Sequence, residues 1–397
     1  MMVGMKDRML KKMLKSYDYT LVVAPIVLSL FGIIMIYSSS MVVAVDKYEG
    51  TPDLFVTKQL KWFILGLFVY VGVLFFPYKV YKRFLKIIFI GAPLLLGSVF
   101  LFGKATNNAQ SWLNLGSIGF QPAEFIKLGV IIYLAGVFSN KQSYIDKFGP
   151  AFGPPLTFIS IIFVLVYKQP DLGTALLILA ISGMIITCSG IRLKHLGGLF
   201  IVAIVGALIF YPMLTDEQLN RFTAAYDPFN EEIADRDGYQ LINSYIAIAA
   251  GGLTGEGLGK SIQKFGYLPE PHTDFIMSII SEELGIFGVG FVMFMLIFII
   301  WKGFSVAMRA IDPFGSLLAI GISGMIGIQS FVNLGALTGL LPITGVPLPF
   351  VSYGGSSLVL LMVSMGILNN IAMYSKFKNA QQQNAVEEKP LKWSNTY

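Results

Sequence analysis

The stretch Gly251–Gly285 reads GGLTGEGLGKSIQKFGYLPEPHTDFIMSIISEELG and joins two kinds of chain. Its first half is polar and rich in glycine and proline. Its second half runs straight into an apolar segment, Phe275–Trp301. His272 and Asp274 therefore stand where a water-facing loop enters a membrane helix. Counting on from Asp274, polar or small residues recur at Ser278, Ser281, Glu282 and Gly285, one face of a 3.6-residue helix. A membrane helix turns such a stripe toward the bundle interior or a wet cavity. Taken alone, Thr273 and Asp274 also suit a plain N-cap with the acid in the positive first turn. Glu282 and Glu283 lie some two turns deeper. Carried unpaired into hydrocarbon, each would cost about 2.5–3.5 kcal/mol.

Outward from this stretch the chain is apolar. Of its 397 residues 55% are hydrophobic and 13% charged, and the mean hydropathy is +0.70. A soluble domain carries about 25% charged residues, so the fold class is an all-α polytopic membrane protein. The single cysteine, Cys188, lies in an apolar run, which excludes a disulfide framework and a thiolate metal cluster. With only His195 and His272, no HExxH-type site exists. The net charge of +6 follows the membrane and is not a nucleic-acid signal. The first apolar run lacks a small-residue cleavage site, so it is expected to be a retained helix.

A span needs about 20 helical residues. Ten are expected, over 19–40, 60–76, 84–102, 122–138, 152–167, 171–188, 196–213, 275–301, 314–336 and 351–373. Ten spans put both termini on one side. The termini and even-numbered connections hold 19 of the Lys and Arg residues and the odd-numbered connections 9. The positive-inside rule makes the termini cytoplasmic. The domain reading is a cytoplasmic N-terminus at 1–18, a ten-helix membrane domain at 19–375, and a polar tail at 376–397 expected to be disordered.

The outer connections carry the chemistry. The loop at 103–121 is polar, and its Trp112 is expected to be an interfacial anchor, with sugar stacking the minority reading. The next span opens Gln121-Pro122-Ala123-Glu124, with proline in the first turn and an acid at the positive end of the dipole. Glu124 and Lys127 are three residues apart and are expected to pair. Lys168-Gln169-Pro170-Asp171 is a tight turn into the sixth span. The outer loop at 214–274, between helices 7 and 8, is the longest. It holds an acid-rich patch, Asp227–Asp237, and a mildly amphipathic run, Tyr239–Ala250, suited to the membrane interface. The last outer connection, Thr338–Ser357, holds Pro342, Pro347 and Pro349. Irregular backbone at that depth belongs in protein or along a cavity. Thr254-Gly-Glu-Gly-Leu-Gly-Lys-Ser261 nearly fits a phosphate-binding P-loop, but its first position is threonine, no strand precedes it and it lies outside, so no nucleotide is expected.

Five blocks occur in order: QPAEFIKL (Gln121–Leu128), QPDLGTALL (Gln169–Leu177), GYQLINSYIAIAAGGLTGEGLG (Gly238–Gly259), YLPEPHTDFI (Tyr267–Ile276) with EELG (Glu282–Gly285), and LPITGVPLPFVSYGGSS (Leu341–Ser357). Together they resemble the SEDS family, the FtsW, RodA and SpoVE proteins of bacterial shape, elongation, division and sporulation. The likeness covers about residues 17–375, and GLGKSIQKFGYLPE is more similar to the division and sporulation branches. One departure is Asn107-Asn108-Ala109-Gln110-Ser111, where the family often has Asn-Gly-Ala followed by a basic residue.

The resemblance implies a peptidoglycan glycosyltransferase in the bacterial cytoplasmic membrane, at the division septum. It would polymerise lipid II into a nascent glycan strand and release undecaprenyl diphosphate. Implied partners are a class B penicillin-binding transpeptidase and other divisome membrane proteins, with no nucleic acid. Asp274 matches the family's essential outer-loop aspartate. Carried across, it accepts the acceptor's proton or positions a divalent cation, magnesium or manganese, on the diphosphate. Near a helix N-terminus it is expected to stay ionised at neutral pH. Lys127, Lys168, Arg221, Lys260 and Lys264 are the implied diphosphate contacts. Glu124, Asp171, His272, Glu282, Ser352 and Ser356 complete the expected substrate-contacting set. The rival readings are a lipid II flippase, which buried charges would also serve, and a non-catalytic division scaffold.

Overall fold

Inside a bilayer every backbone polar group must be satisfied within the protein, so long apolar runs coil into helices. The computed structural model describes residues 13–106, 109–115, 118–230, 233–235 and 237–387. Among them nine helices are long and apolar enough to cross a membrane. These are α1 (Tyr19–Asp46), α2 (Leu54–Phe75), α3 (Leu85–Phe102, led in by a 3-10 turn at Tyr78–Phe84), α4 (Pro122–Asn140), α5 (Phe148–Tyr167), α7 (Leu193–Phe210), α10 (Ile276–Arg309), α11 (Pro313–Leu337) and α12 (Gly355–Glu387). A tenth apolar helix, α6 (Leu172–Thr187), is shorter. Each falls on an expected span. Two outer helices, α8 (Asp216–Tyr226) and α9 (Asp237–Gly251), lie in the long connection.

The helices are packed unequally. The apolar windows of α4 and α12 are 78% and 89% buried, and that of α7 is 0% buried. Small residues explain the tight side. A Cβ on Gly321 of α11 would sit 2.5 Å from Ile131 of α4, and one on Gly324 would sit 2.1 Å from the Met184 sulfur of α6. Glycines let these helices approach in hydrocarbon, where packing replaces the hydrophobic drive.

The connections depart from expectation in three places. The 103–121 segment is not an irregular loop. It forms a small antiparallel sheet in the order β1 (Lys104–Thr106), β2 (Ala109–Leu115), β3 (Ile118–Phe120). Lys104 pairs with Trp112 and Leu113 with Phe120, so the fold is all-α except here. Next, α9 is docked on the bundle. Its Ser244 hydroxyl meets that of Ser278 at 2.7 Å and donates to the Leu337 carbonyl at 3.0 Å, docking it on α10 and α11. Finally, α12 runs past Lys376 to Glu387, so the segment expected to be disordered begins as helix. The basic residues Lys6 to Lys12, Glu231, Glu232 and Arg236 of the acid-rich patch, the Asn107-Asn108 of the sheet segment and the tail beyond Glu387 lie outside the described residues.

Helix α10 is two helices. Gly285 takes φ 61°, ψ −153°, and breaks it. The Glu282 and Glu283 carbonyls, freed by the break, accept instead from the Glu256 and Gly257 amides at 2.9 and 3.0 Å. The Ile286 amide donates to the Leu253 carbonyl at 3.2 Å. The outer loop is thereby stitched into the helix. Only glycine serves at the crossing, since a Cβ on Gly285 would lie 2.5 Å from the Leu253 oxygen.

Candidate functional site

Loops and helix ends on one side of the bundle enclose a cavity of about 710 Å³. Its walls come from six segments distant in sequence. Trp112 stands on β2 and Gln121 follows β3, and Pro170 to Leu176 open α6. Thr215 to Phe222 lie on α8, Gln240 on α9, Glu270 to Phe275 before α10, and Pro342 to Gly345 on the prolyl loop. Local chemistry fixes each wall. A capping box starts α8: Gln218 N–H donates to Thr215 Oγ1 at 3.3 Å, and Thr215 N–H donates to Gln218 Oε1 at 3.1 Å. Asp171 caps α6, its carboxylate accepting from the Thr174 amide at 3.0 Å. Gly173 lets the prolyl loop press on that helix start, because a Cβ there would lie 2.5 Å from the Thr344 carbonyl.

Asp274 stands on the cavity wall, outside the first turn of α10, which begins at Ile276. Thr273 does not cap that helix; its hydroxyl donates back to the Glu270 carbonyl at 3.1 Å. The Asp274 backbone carbonyl accepts from Asn333 Nδ2 at 2.9 Å, and the same nitrogen donates to the Val346 carbonyl at 2.9 Å. Asn333 of α11 thus ties Asp274 to the prolyl loop, whose Gly345 faces the carboxyl. Burial raises the Asp274 pKa to about 7; the negative Glu270 pushes the same way, and Arg221 opposes. This corrects the expectation of an acid kept low by a helix dipole. Asp274 lies beyond the helix start, and desolvation outweighs any dipole. Asp171 is also raised, chiefly by burial, against the Thr174 hydrogen bonds.

Three expected site residues, Asp171, Arg221 and Asp274, line the cavity together. Trp112 lines it too, which removes it from a simple anchoring role. Glu124 and Lys127 pair at 2.9 Å, as expected, and both are buried. They lie close enough to Asp171 to act on its charge, but not on the cavity wall. The remaining residues are not brought to the cavity. Lys168 and Lys260 are exposed elsewhere. Lys264 is fully buried against Glu283 at 2.9 Å. Glu282 accepts from the Ser261 hydroxyl and from the Ile262 amide at 2.7 Å, which uses it inside the fold. His272 packs 4.2 Å from the Phe55 ring and 5.5 Å from Tyr353. Burial and the Lys47 charge lower its pKa to about 4, so it is neutral at physiological pH. Ser352 accepts from the Leu348 amide at 2.9 Å, and Ser356 bridges Gln121 and Gly119. The glycine run that imitates a P-loop directs its Ser261 and Ile262 amides to the Glu283 and Glu282 carboxylates, not to phosphate.

Sequence reasoning missed Gln121, Glu217, Gln218, Glu270 and Asn333. The Thr215…Gln218 spacing was a readable signal for α8. The others depend on tertiary contacts alone. The cavity carries four acids, Asp171, Glu217, Glu270 and Asp274, against one arginine.

Comparison with known proteins fits this geometry. The family model for FtsW, RodA and SpoVE, described as cell cycle protein, matches residues 19–377. The chain belongs to this family. It is 51% identical over 394 residues to the probable peptidoglycan glycosyltransferase FtsW of Bacillus subtilis, covering 96% of each chain. It is 36% identical over 367 residues to the stage V sporulation protein E of the same organism, covering 91% of this chain and 98% of that one. Among solved structures it is similar to a chain from work on the structural coordination of polymerization and crosslinking by a peptidoglycan synthase complex. The TM-score is 0.73 at 24% identity, over 90% of this chain and 98% of that one. The rod shape determining protein RodA of Thermus thermophilus matches with a TM-score of 0.65 at 24% identity, over 90% of this chain and 96% of that one. At that identity the likeness shows that the fold is shared across the FtsW, RodA and SpoVE family.

Proposed function

We propose that this chain is a peptidoglycan glycosyltransferase of the division branch, polymerising lipid II with Asp274 as general base. The observation that carries the residue assignment is Asp274 on the wall of a 710 Å³ cavity with its pKa raised to about 7. A base works best when its pKa lies near the operating pH. The 4-hydroxyl of the acceptor sugar attacks C1 of the donor. The C1–O bond to undecaprenyl diphosphate breaks as the new glycosidic bond forms, and the hydroxyl proton passes to Asp274. Asn333 holds the Asp274 backbone through its carbonyl, Gly345 lies beside the carboxyl, and Trp112 offers a face for a sugar ring. The positive-inside count supports a cavity on the outer face of the cytoplasmic membrane, where lipid and glycan meet, and a division-branch enzyme would act there at the septum. A class B penicillin-binding transpeptidase is the partner that would crosslink the product.

A magnesium or manganese ion would fit the acidic wall only with one or two protein carboxylates. Among the described residues no three His, Cys, Asp or Glu side chains form a cage. Magnesium commonly uses one or two carboxylates plus substrate phosphates, and here Asp274 with Glu270 or Asp171 would supply them. Bound there, the ion would neutralise the departing diphosphate.

The test uses purified protein with its transpeptidase partner, lipid II, and the transpeptidase site blocked, with glycan strands read on gels. Asp274→Asn is expected to lower polymerisation by roughly 10²-fold or more at unchanged thermal stability. Strands made at a normal rate by Asp274→Asn would remove this residue from the mechanism. Translocation of lipid II in vesicles without polymerisation under any partner would favour a transporter.

A further inference from the structure

The stitched loop between α9 and α10 displays apolar side chains that the fold does not use. Leu253, Leu258, Ile262 and Phe265 are between 56% and 71% exposed, and none lines the cavity. Their depth follows from α10. Trp301 and Lys302 mark one membrane boundary, with Lys302 paired to Asp18 at 2.8 Å. From Trp301 to the break at Gly285 an α-helix rises about 24 Å, less than the roughly 30 Å of hydrocarbon. The far boundary therefore lies at or beyond Gly285, level with Leu253, whose carbonyl is bonded to Ile286. Ile286 and Phe287, 55% and 72% exposed, continue the same apolar surface down the lipid-facing side of α10.

Irregular backbone at that depth needs its polar groups turned inward. The loop does this. Glu282 takes the Ile262 and Gln263 amides, and Glu283 takes the Ser261 amide and the Lys264 ammonium. The two acids draw the donors into the protein and leave the apolar side chains facing out. We propose that this loop is a membrane-embedded ledge. Leu253, Leu258, Ile262 and Phe265 insert among the acyl chains of the leaflet on the cavity side, and the exposed Lys260 reaches the phosphates. The ledge would hold the Asp274 loop at a set height above the bilayer. It stands whether or not Asp274 is the base, because it rests on packing alone.

Depth measurement by spin labelling tests it. Leu258→Cys, Ile262→Cys and Phe265→Cys are made in a Cys188→Ser background, labelled with a nitroxide, and placed in bilayer discs of phosphatidylethanolamine and phosphatidylglycerol. Asp216→Cys on α8 serves as the water control and Phe294→Cys on α10 as the hydrocarbon control. At all three ledge positions molecular oxygen is expected to relax the label more than a water-soluble nickel chelate does. The derived depths should fall between the two controls. Nickel accessibility matching Asp216→Cys would overturn the proposal. Labels that are water-accessible alone and become shielded from both reagents only when the transpeptidase is added would overturn it too, and would make the ledge a protein-docking surface.

Discussion

Among the described residues two lysine–glutamate pairs are buried, and they are finished differently. In the pair on α10, Lys264 donates to Glu283 at 2.9 Å, to the Gly259 carbonyl at 2.6 Å and to Ser38 at 3.4 Å. Glu283 also accepts from Ser38 and the Ser261 amide. Every proton of the ammonium has a partner. In the pair on α4, Lys127 meets Glu124 at 2.9 Å and Gln329 at 3.2 Å, while Glu124 Oε2 has no hydrogen-bond partner. A saturated pair is a structural latch. An unsaturated pair near an acidic cavity keeps an acceptor free for a hydroxyl or a water. Charge, burial and separation are nearly the same in both, so only the unfilled valence tells the two roles apart.

The largest effect expected from this contrast is on the latch. Lys264→Met leaves Glu283 buried without its counter-ion, a loss of about 3–5 kcal/mol. Thermal unfolding in detergent should show it as a large fall in midpoint, with little folded protein recovered from membranes. The double change Lys264→Met with Glu283→Gln should regain part of the loss. A Lys264→Met protein as stable as the parent would mean that the latch does not hold the loop.

A smaller effect on stability, and a larger share on activity, is expected at the other pair. Lys127→Met strands one carboxylate that already lacks a partner on one oxygen, at about 1–3 kcal/mol. Lys127 makes two polar contacts where Lys264 makes three, so less is lost with it. Polymerisation should fall by more than the loss of folded protein explains, with Glu124→Gln showing the same disproportion. If both variants lose activity only in step with folded protein, the α4 pair is a second latch and the contrast fails.

The two pairs also show what was legible before any coordinates. Glu124 and Lys127 are three residues apart on one helix, so their pairing could be read from spacing. Lys264 and Glu283 meet through a loop that folds back across the break at Gly285. Nothing local announces that break, because Gly285 sits in an otherwise continuous apolar helix pattern. The spans were readable because their length and hydropathy are set by the bilayer. The inward stripe Ser278, Ser281, Glu282 was readable from helical period, and all three residues are buried. The sheet at 104–120 was not, since its strands are short and polar. The ionisation of Asp274 could not be read either. It depends on burial in the cavity wall and on the opposed charges of Glu270 and Arg221, which converge only in the folded chain.

The smallest effect separates the pairs by electrostatics alone. If Asp274 is the base, the rate of polymerisation should rise with pH along a single limb centred near its burial-raised pKa of about 7. The sign follows from the chemistry: the carboxylate is the active form, and below the limb it is protonated. Arg221 favours the carboxylate, so Arg221→Gln should move the limb to higher pH. Glu270 disfavours it, so Glu270→Gln should move the limb to lower pH. Each shift should be less than about one pH unit, since both neighbours are partly solvated and screened. Lys264 and Glu283 are not among the charges acting on Asp274. A conservative latch variant that still folds, Lys264→Arg, should therefore leave the limb where it is while lowering thermal stability. The measurement is initial rate against pH at saturating lipid II, for parent and variants at matched folded protein. A limb that stays fixed in Arg221→Gln and Glu270→Gln but moves in Lys264→Arg would reverse the assignment, placing the titrating group at the latch and not in the cavity.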